Sequence, residues 1–283
     1  MIRAADLVGT HDILLVTLDS LRHDVAAAAL AAGRTPTLAR LLAPGAWERR
    51  HAPGSFTYAA HQAIFAGFLP TPAAPGPHPR LFALRFEGSR STGPDTAVFD
   101  APDIVSGLAA RGYHTLCIGG VGFFNKRTAL GRILPGLFAE SHWHPGFGVQ
   151  ARDSTAAQVG LAVERIAALD PERRLFLFVN VSATHHPTRH YLPGATRESA
   201  ETQGAALAYA DGALGPLFAA FRRRGPTLCI LCADHGTAFG EDGYRGHRLG
   251  HPTVWDVPYA EFTLPEVPLP KASLPAFTPE ATR

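Results

Sequence analysis

Four short runs of consecutive apolar residues punctuate the chain, at residues 13–17, 114–118, 175–181 and 227–233. Each is partly β-branched or aromatic, and apolar at successive rather than alternate positions. That pattern predicts strands buried on both faces in the middle of a sheet. Between them the spacing turns helical, around residues 37–42, 58–66, 103–110, 155–169 and 202–223. The alternation predicts an α/β fold whose central, mostly parallel sheet is covered by helices on both faces. Two segments break it. Residues 70–79 are rich in proline and alanine, and residues 87–95 in glycine, serine and charge, so both read as loops, with a lid as an alternative use. From Thr263 onward prolines recur every few residues, which suits an edge strand followed by an extended tail. The expected organisation is one folded domain over residues 1–262 and a Pro-rich tail over residues 263–283.

Composition narrows the class. Of the 283 residues 46% are hydrophobic and 18% charged, enough apolar material for a large core and too little charge for a disordered chain. The formal net charge of +2 gives no field of the kind nucleic-acid binding needs, so no nucleic-acid partner is expected. The basic run Arg222, Arg223, Arg224 reads as the positive end of a helix. No uninterrupted apolar stretch approaches the roughly 18 residues of a membrane span, and the opening MIRAADLVGTHDILLVTLDS carries no secretory cleavage pattern. Cys117, Cys229 and Cys232 all lie in strand-like runs, where buried free thiols are the ordinary outcome. These features together predict a reducing, cytoplasmic location.

In α/β sheets ligands gather at the carboxyl ends of the strands, so polar residues that follow a buried run at once are the first candidates for chemistry. Asp19 ends the first run in ILLVTLDSLRHD, and Asp234 with His235 ends the last in LCILCADHG. A single such Asp could serve only as a helix cap; two strand ends bearing Asp, one followed by His and Gly, suit a divalent ion such as Zn²⁺ or Mn²⁺, with Mg²⁺ or Ca²⁺ as alternatives. Ser55 and Thr57 in APGSFTYAAHQAIFAGFLP stand just before a predicted helix, where free N–H groups and the helix dipole favour an anion. Either hydroxyl could be a nucleophile activated by the ion, or an ordinary N-cap. His185 and His186 precede Pro187 at the end of the third run, and a histidine pair at a strand end is seldom core.

Taken jointly, ILLVTLDSLRHD, a hydroxyl before a helix closing in AGFLP, then THHP, CADHGTAFGEDGYRGH and DVPY resemble the alkaline phosphatase and sulfatase superfamily, in family order from about residue 13 to about residue 260. The resemblance implies a three-layer α/β/α sandwich with metals at the strand ends. It also implies that Asp19, Thr57, Asp234 and His235 form a first metal site, and that Thr57 is the nucleophile. His61 falls where sulfatases have arginine and is expected to bind substrate. His185 and His247 are expected to meet the substrate's charge or its leaving group, and His186 to contact substrate; Lys126, in a loop after a strand, is a candidate to neutralise a phosphoryl oxygen, with a solvated surface lysine as the alternative. His251 is expected as a ligand of a second ion, so that one or two ions are implied; a metal role for Asp211 stands beside a structural one. Ser20 occupies the place of a second acid in many sulfatases, and no C-x-P-x-R formylglycine motif occurs. A phosphate-type ester, whether phosphomonoester, phosphodiester or phosphonate, is therefore the expected substrate of this hydrolase. A sulfatase-like esterase and a non-catalytic scaffold member are the alternatives.

Overall fold

The structure, a computed structural model, describes residues 2–42, 45–67, 80–83, 96–98 and 103–265. Its elements in chain order are α1 (Ala4–Leu7), β1 (Asp12–Leu18), α2 (His23–Ala31), α3 (Pro36–Leu41), β2 (Glu48–His51), α4 (Thr57–Ala66), β3 (Arg80–Ala83), β4 (Thr96–Val98), α5 (Ile104–Ala110), β5 (His114–Ile118) and α6 (Ala129–Gly136). There follow β6 (Glu140–His142), α7 (Ser154–Ala168), β7 (Leu175–Val181), α8 (Ala200–Arg224), β8 (Thr227–Cys232), β9 (Ala238–Phe239), β10 (Arg245–Gly246), α9 (Pro252–Trp255) and β11 (Asp256–Leu264).

Seven strands form the central sheet in the order β2-β11-β8-β1-β7-β5-β6. The five from β8 to β6 run parallel, and β11 is antiparallel to both β8 and β2. All seven residues of β1 and all seven of β7 are buried, as their continuous apolar runs predict. Side chains alternate across the sheet. Leu14, Val16, Leu18, Leu177 and Val179 pack with Val25 and Ala29 of α2, Val159 and Ala162 of α7, and Leu207 and Leu214 of α8. Ile13, Leu15, Phe176 and Phe178 pack on the other face with Phe65 of α4, Val105 of α5 and Leu134 of α6. This is the three-layer α/β/α sandwich with a mostly parallel sheet. Each fully buried Leu or Phe contributes about 1.5–3 kcal/mol of transfer free energy, so the two faces of β1 and β7 hold the layers together.

The predicted strands and helices recur with ends shifted by at most two residues, and those of β5 and β7 coincide. Elements without a strong pattern escaped the sequence reading: α2, whose alanines show little periodicity, α6, which contains Pro135, and the short β2 and β6. The strand expected from Thr263 onward starts earlier than the prolines suggest. β11 begins at Asp256, where β2 covers its outer side with Pro258 opposite Arg49, and Thr263 and Leu264 at its end pair with β8. Residues 70–79 and 87–95, the predicted loops, and the tail beyond residue 265 lie outside the described residues.

Arg222, Arg223 and Arg224 occupy the last turn of α8 as predicted, and Arg224 also pairs at 2.8 Å with the buried Asp12 carboxylate. By length and composition α8 could cross a membrane, but 56% of its most apolar stretch is buried within the fold. All three cysteines are free and buried.

Candidate active site

Strands β1 and β8 lie side by side in parallel, Thr17 opposite Cys232, so their carboxyl ends deliver Asp19, Asp234 and His235 to one place. All three are completely buried. Ser20, with φ of 61°, turns the chain sharply and links the two acids: its N–H donates to Asp234 Oδ1 at 3.1 Å and its hydroxyl to Asp19 Oδ1 at 3.0 Å. From the neighbouring strand Asn180 Nδ2 donates to Asp19 Oδ2 at 3.1 Å, its amide fixed because Oδ1 accepts from Val121 N–H. Gly236 completes the Asp-His-Gly turn because a Cβ there would lie 2.1 Å from the Thr253 carbonyl oxygen.

Thr57 is the first residue of α4 and only 2% exposed. The N-cap is Phe56, so the threonine hydroxyl is not spent on capping. Thr57 Oγ1 lies 3.3 Å from His235 Nε2. That nitrogen carries a lone pair, because Nδ1 sits 2.7 Å from the Gly236 carbonyl oxygen and must donate to it. Asp234 Oδ2 is buried without a hydrogen-bond partner, 3.5 Å from His235 Nε2.

Candidate ligand atoms of Asp19, Asp234 and His235 all lie within 4.8 Å of one another. Burial, then the charge of Asp19, pushes Asp234 up from the ordinary carboxylate range, against the pull of His235 and His61. Burial works the same way on Asp19, yet His185, His235 and the Asn180 amide outweigh it and hold that carboxyl low. Two buried acids, an orphaned oxygen and an imidazole lone pair directed at a hydroxyl are the donor set a divalent cation satisfies. The residues fit the ion.

Beside this centre opens a cavity of about 420 Å³, lined by Thr57, Thr128, His185, His186, His247 and Arg248 together with the apolar Val121, Phe123, Leu130 and Val149. The three histidines form a second group whose ring nitrogens approach within 4.8 Å. His185 Nδ1 donates to the His186 carbonyl oxygen at 2.6 Å, which leaves Nε2 as its free nitrogen. The His247 ring lies 4.6 Å from the His235 ring, tilted by 44°, and its Nδ1 is buried without a partner. Burial, with the neighbouring His235 and His185, pushes the His247 pKa down to about 3. Another cavity, of about 390 Å³ beside Ile13, Phe65 and Ile230, holds none of these candidate groups.

The sulfatase family model matches residues 11–260, a span that contains every one of these groups. The chain belongs to the sulfatase family. Among curated proteins none matches its sequence. Solved structures of the alkaline phosphatase superfamily share its fold. The soluble domain of lipooligosaccharide phosphoethanolamine transferase A from Neisseria meningitidis is 12% identical, with 89% of this chain and 75% of that one covered at a TM-score of 0.62. The C-terminal periplasmic domain of EcEptC from Escherichia coli, in complex with Zn, is 14% identical with 91% and 74% covered and a TM-score of 0.61. An alkaline phosphatase superfamily protein from Vibrio parahaemolyticus is 21% identical with 88% and 60% covered and a TM-score of 0.56.

In this sulfatase-family chain the other sequence candidates fall in different places. His61 is not on the cavity surface, which corrects its expected contact with substrate. It is completely buried one helical turn below Thr57, Nδ1 donating to the Thr57 carbonyl oxygen at 2.7 Å and Nε2 accepting from the Thr17 hydroxyl at 3.0 Å. Phe124 and Phe178 pack edge-on to its ring. Lys126 lies outside the cavity lining, exposed, its ammonium donating to the Ser141 carbonyl oxygen at 2.7 Å. His251 stands apart as the N-cap of α9, with Nδ1 at 2.7 Å from Thr253 Oγ1 and Nε2 at 3.1 Å from Asp242. Ser55 lines a neighbouring groove, and its carbonyl oxygen accepts from Arg248 N–H. Asp211 takes the structural role, accepting from the N–H groups of Thr37 and Leu38 at the start of α3.

Sequence reasoning missed Thr17, Asn180 and Arg248. Thr17 and Asn180 sit inside strand runs, where a lone polar residue between apolar ones was the available signal. Arg248 directly follows the histidine of GYRGH.

Proposed function

We propose that this chain is a metal-dependent hydrolase of a phosphate-type ester and that Thr57 is its nucleophile. The observation that carries the reading is the Thr57 hydroxyl at the start of α4, 3.3 Å from His235 Nε2 and on the wall of the histidine-lined cavity. A divalent cation held by Asp19, Asp234, His235 and Thr57 would supply Lewis-acid chemistry, lowering the hydroxyl pKa and offsetting phosphoryl charge. Thr57 Oγ, its proton released to solvent, attacks phosphorus in line; the Oγ–P bond forms as the ester P–O bond breaks, and the alcohol leaves with a proton from His185 or from water, while His247, kept neutral by burial, meets the phosphoryl group as a neutral imidazole. Water, or another acceptor, then releases the phosphoryl group from Thr57. The free N–H groups of the first turn of α4 favour the anion at this point. The neighbours named phosphoethanolamine transferases fit a phosphoryl substrate, and the absence of a formylglycine motif weighs against a sulfate ester. The cytoplasmic location is a separate proposal, resting on the free thiols, since EptC neighbours are periplasmic domains.

The test is hydrolysis of p-nitrophenyl phosphate, bis-p-nitrophenyl phosphate and p-nitrophenyl sulfate by chelator-stripped protein, with Zn²⁺, Mn²⁺, Mg²⁺ or Ca²⁺ restored singly, beside Thr57→Ala. Metal-dependent release from a phosphate ester, lost in the variant, is the expected result. Release from the sulfate alone would favour a sulfatase. Failure to bind any of the four ions would favour a non-catalytic role.

A further inference from the structure

The cavity wall carries one charged side chain that neither motif nor metal site accounts for. Among the described residues that line the cavity Arg248 is the only Lys, Arg, Asp or Glu. Its backbone has φ of 69°, a left-handed conformation that is uncommon for a non-glycine residue and clusters at functional sites. Two contacts hold it against the loop that presents the nucleophile. The Arg248 N–H donates to the Ser55 carbonyl oxygen at 2.8 Å, and its guanidinium lies 5.5 Å from the centre of the Phe56 ring. Phe56 immediately precedes Thr57, so a permanent cation is tied to the segment that carries the attacking hydroxyl. Val121, Phe123, Leu130 and Val149 in the same lining are apolar, and Thr128 contributes a neutral hydroxyl.

We propose that Arg248 is a specificity residue that binds a second negative charge on the substrate, so that the preferred ester is dianionic. This rests on the phosphate-ester reading above. A monoanionic diester is neutralised at the metal centre and gains little from a guanidinium, whereas a dianion retains a charge for the planar donor fork to meet. That charge sits either on the phosphoryl group of a monoester or on an acidic substituent of the esterified group.

The test is calorimetric titration of the Zn²⁺-loaded wild type, Arg248→Gly and Arg248→Lys with three probes. These are phenylphosphonate, a dianion at phosphorus; its monomethyl ester, a monoanion; and monomethyl 4-carboxyphenylphosphonate, which carries its second charge on the ring. Glycine accommodates the positive φ, so Arg248→Gly keeps the loop and removes the charge. Arg248→Gly is expected to weaken at least one dianionic probe about tenfold and the monoanion less than about twofold, with lysine restoring part of the loss. The difference should shrink in high salt. Loss confined to phenylphosphonate places the second charge on phosphorus, and loss confined to the carboxylated probe places it on the esterified group. Equal loss for all three probes, or none, overturns the proposal while leaving the phosphate-ester reading intact. A wild type that binds none of the three overturns both.

Discussion

His235 Nε2 and Thr57 Oγ1 lie 3.3 Å apart although 178 residues separate them in the chain. Among the described residues the threonine hydroxyl has no other hydrogen-bond partner, so its direction is set by the imidazole and by its place in the first turn of α4. Thr57→Ser keeps the hydroxyl but frees its rotamer, and is expected to retain measurable turnover. Thr57→Val keeps the shape without the oxygen and should reduce turnover by about a thousandfold or more. Thermal melts of both variants within a few degrees of wild type would separate this chemical loss from unfolding.

Asp234 is expected to stabilise the loaded protein and to destabilise the metal-free one. Its buried Oδ2 has no hydrogen-bond partner, and burial together with Asp19 raises its pKa. A carboxyl whose folded pKa is raised costs stability above its unfolded pKa, and that cost is relieved as pH falls. Asp234→Asn should therefore raise the melting temperature of chelator-treated protein at pH 7. It should also abolish the gain on adding Zn²⁺, which for wild type is about 2.7 kcal/mol at a hundred times the dissociation constant. Scanning calorimetry of both proteins, with and without metal, checks the two signs together.

His61 belongs to a buried chain in which Asn180 Nδ2 donates to Thr17 Oγ1 at 3.2 Å, the Thr17 hydroxyl to His61 Nε2, and His61 Nδ1 to the Thr57 carbonyl oxygen. The chain joins a residue that holds Asp19 to the backbone of the nucleophile. His61→Phe fits the aromatic surroundings but leaves the Thr17 hydroxyl and the Thr57 carbonyl oxygen each without this partner. The expected result is a kcat lowered about tenfold to a hundredfold at nearly unchanged KM, with stability reduced by about 1–3 kcal/mol. A change in KM alone would show that His61 contacts substrate after all.

Glu140 supplies a pH-dependent lock at the far edge of the sheet. Burial raises its pKa, but hydrogen bonds with His142 and His114 and the ion pair with Arg165 outweigh that and bring it to about 2. A carboxylate with a depressed folded pKa adds stability above its unfolded pKa of about 4.3 and loses it as pH falls toward 2. Wild type should therefore lose denaturant resistance between about pH 4.5 and pH 2.5 by more than Glu140→Gln does. Urea midpoints at pH 6 and pH 3 for the two proteins give the comparison.

The sequence by itself determined the layers and the chemistry of the centre. Continuous apolar runs specify strands buried on both faces, helical spacing between them specifies the covering layers, and Asp19, Asp234 and His235 follow such runs directly, so they had to meet where parallel strands end. Local pattern is strong there because each run reports its own burial. Tertiary structure alone decided the roles of residues whose partners are remote. Whether His61 faced the cavity or lay beneath it depended on the Thr17 hydroxyl across the sheet, and whether Asp211 held a metal or a helix depended on where α3 docked. Lys126 was turned to the Ser141 carbonyl, and Arg248 was brought against Phe56 by a left-handed backbone. A side chain's chemical type is written in the sequence, but the atom it meets is fixed only when separate segments pack, because that meeting is a long-range contact.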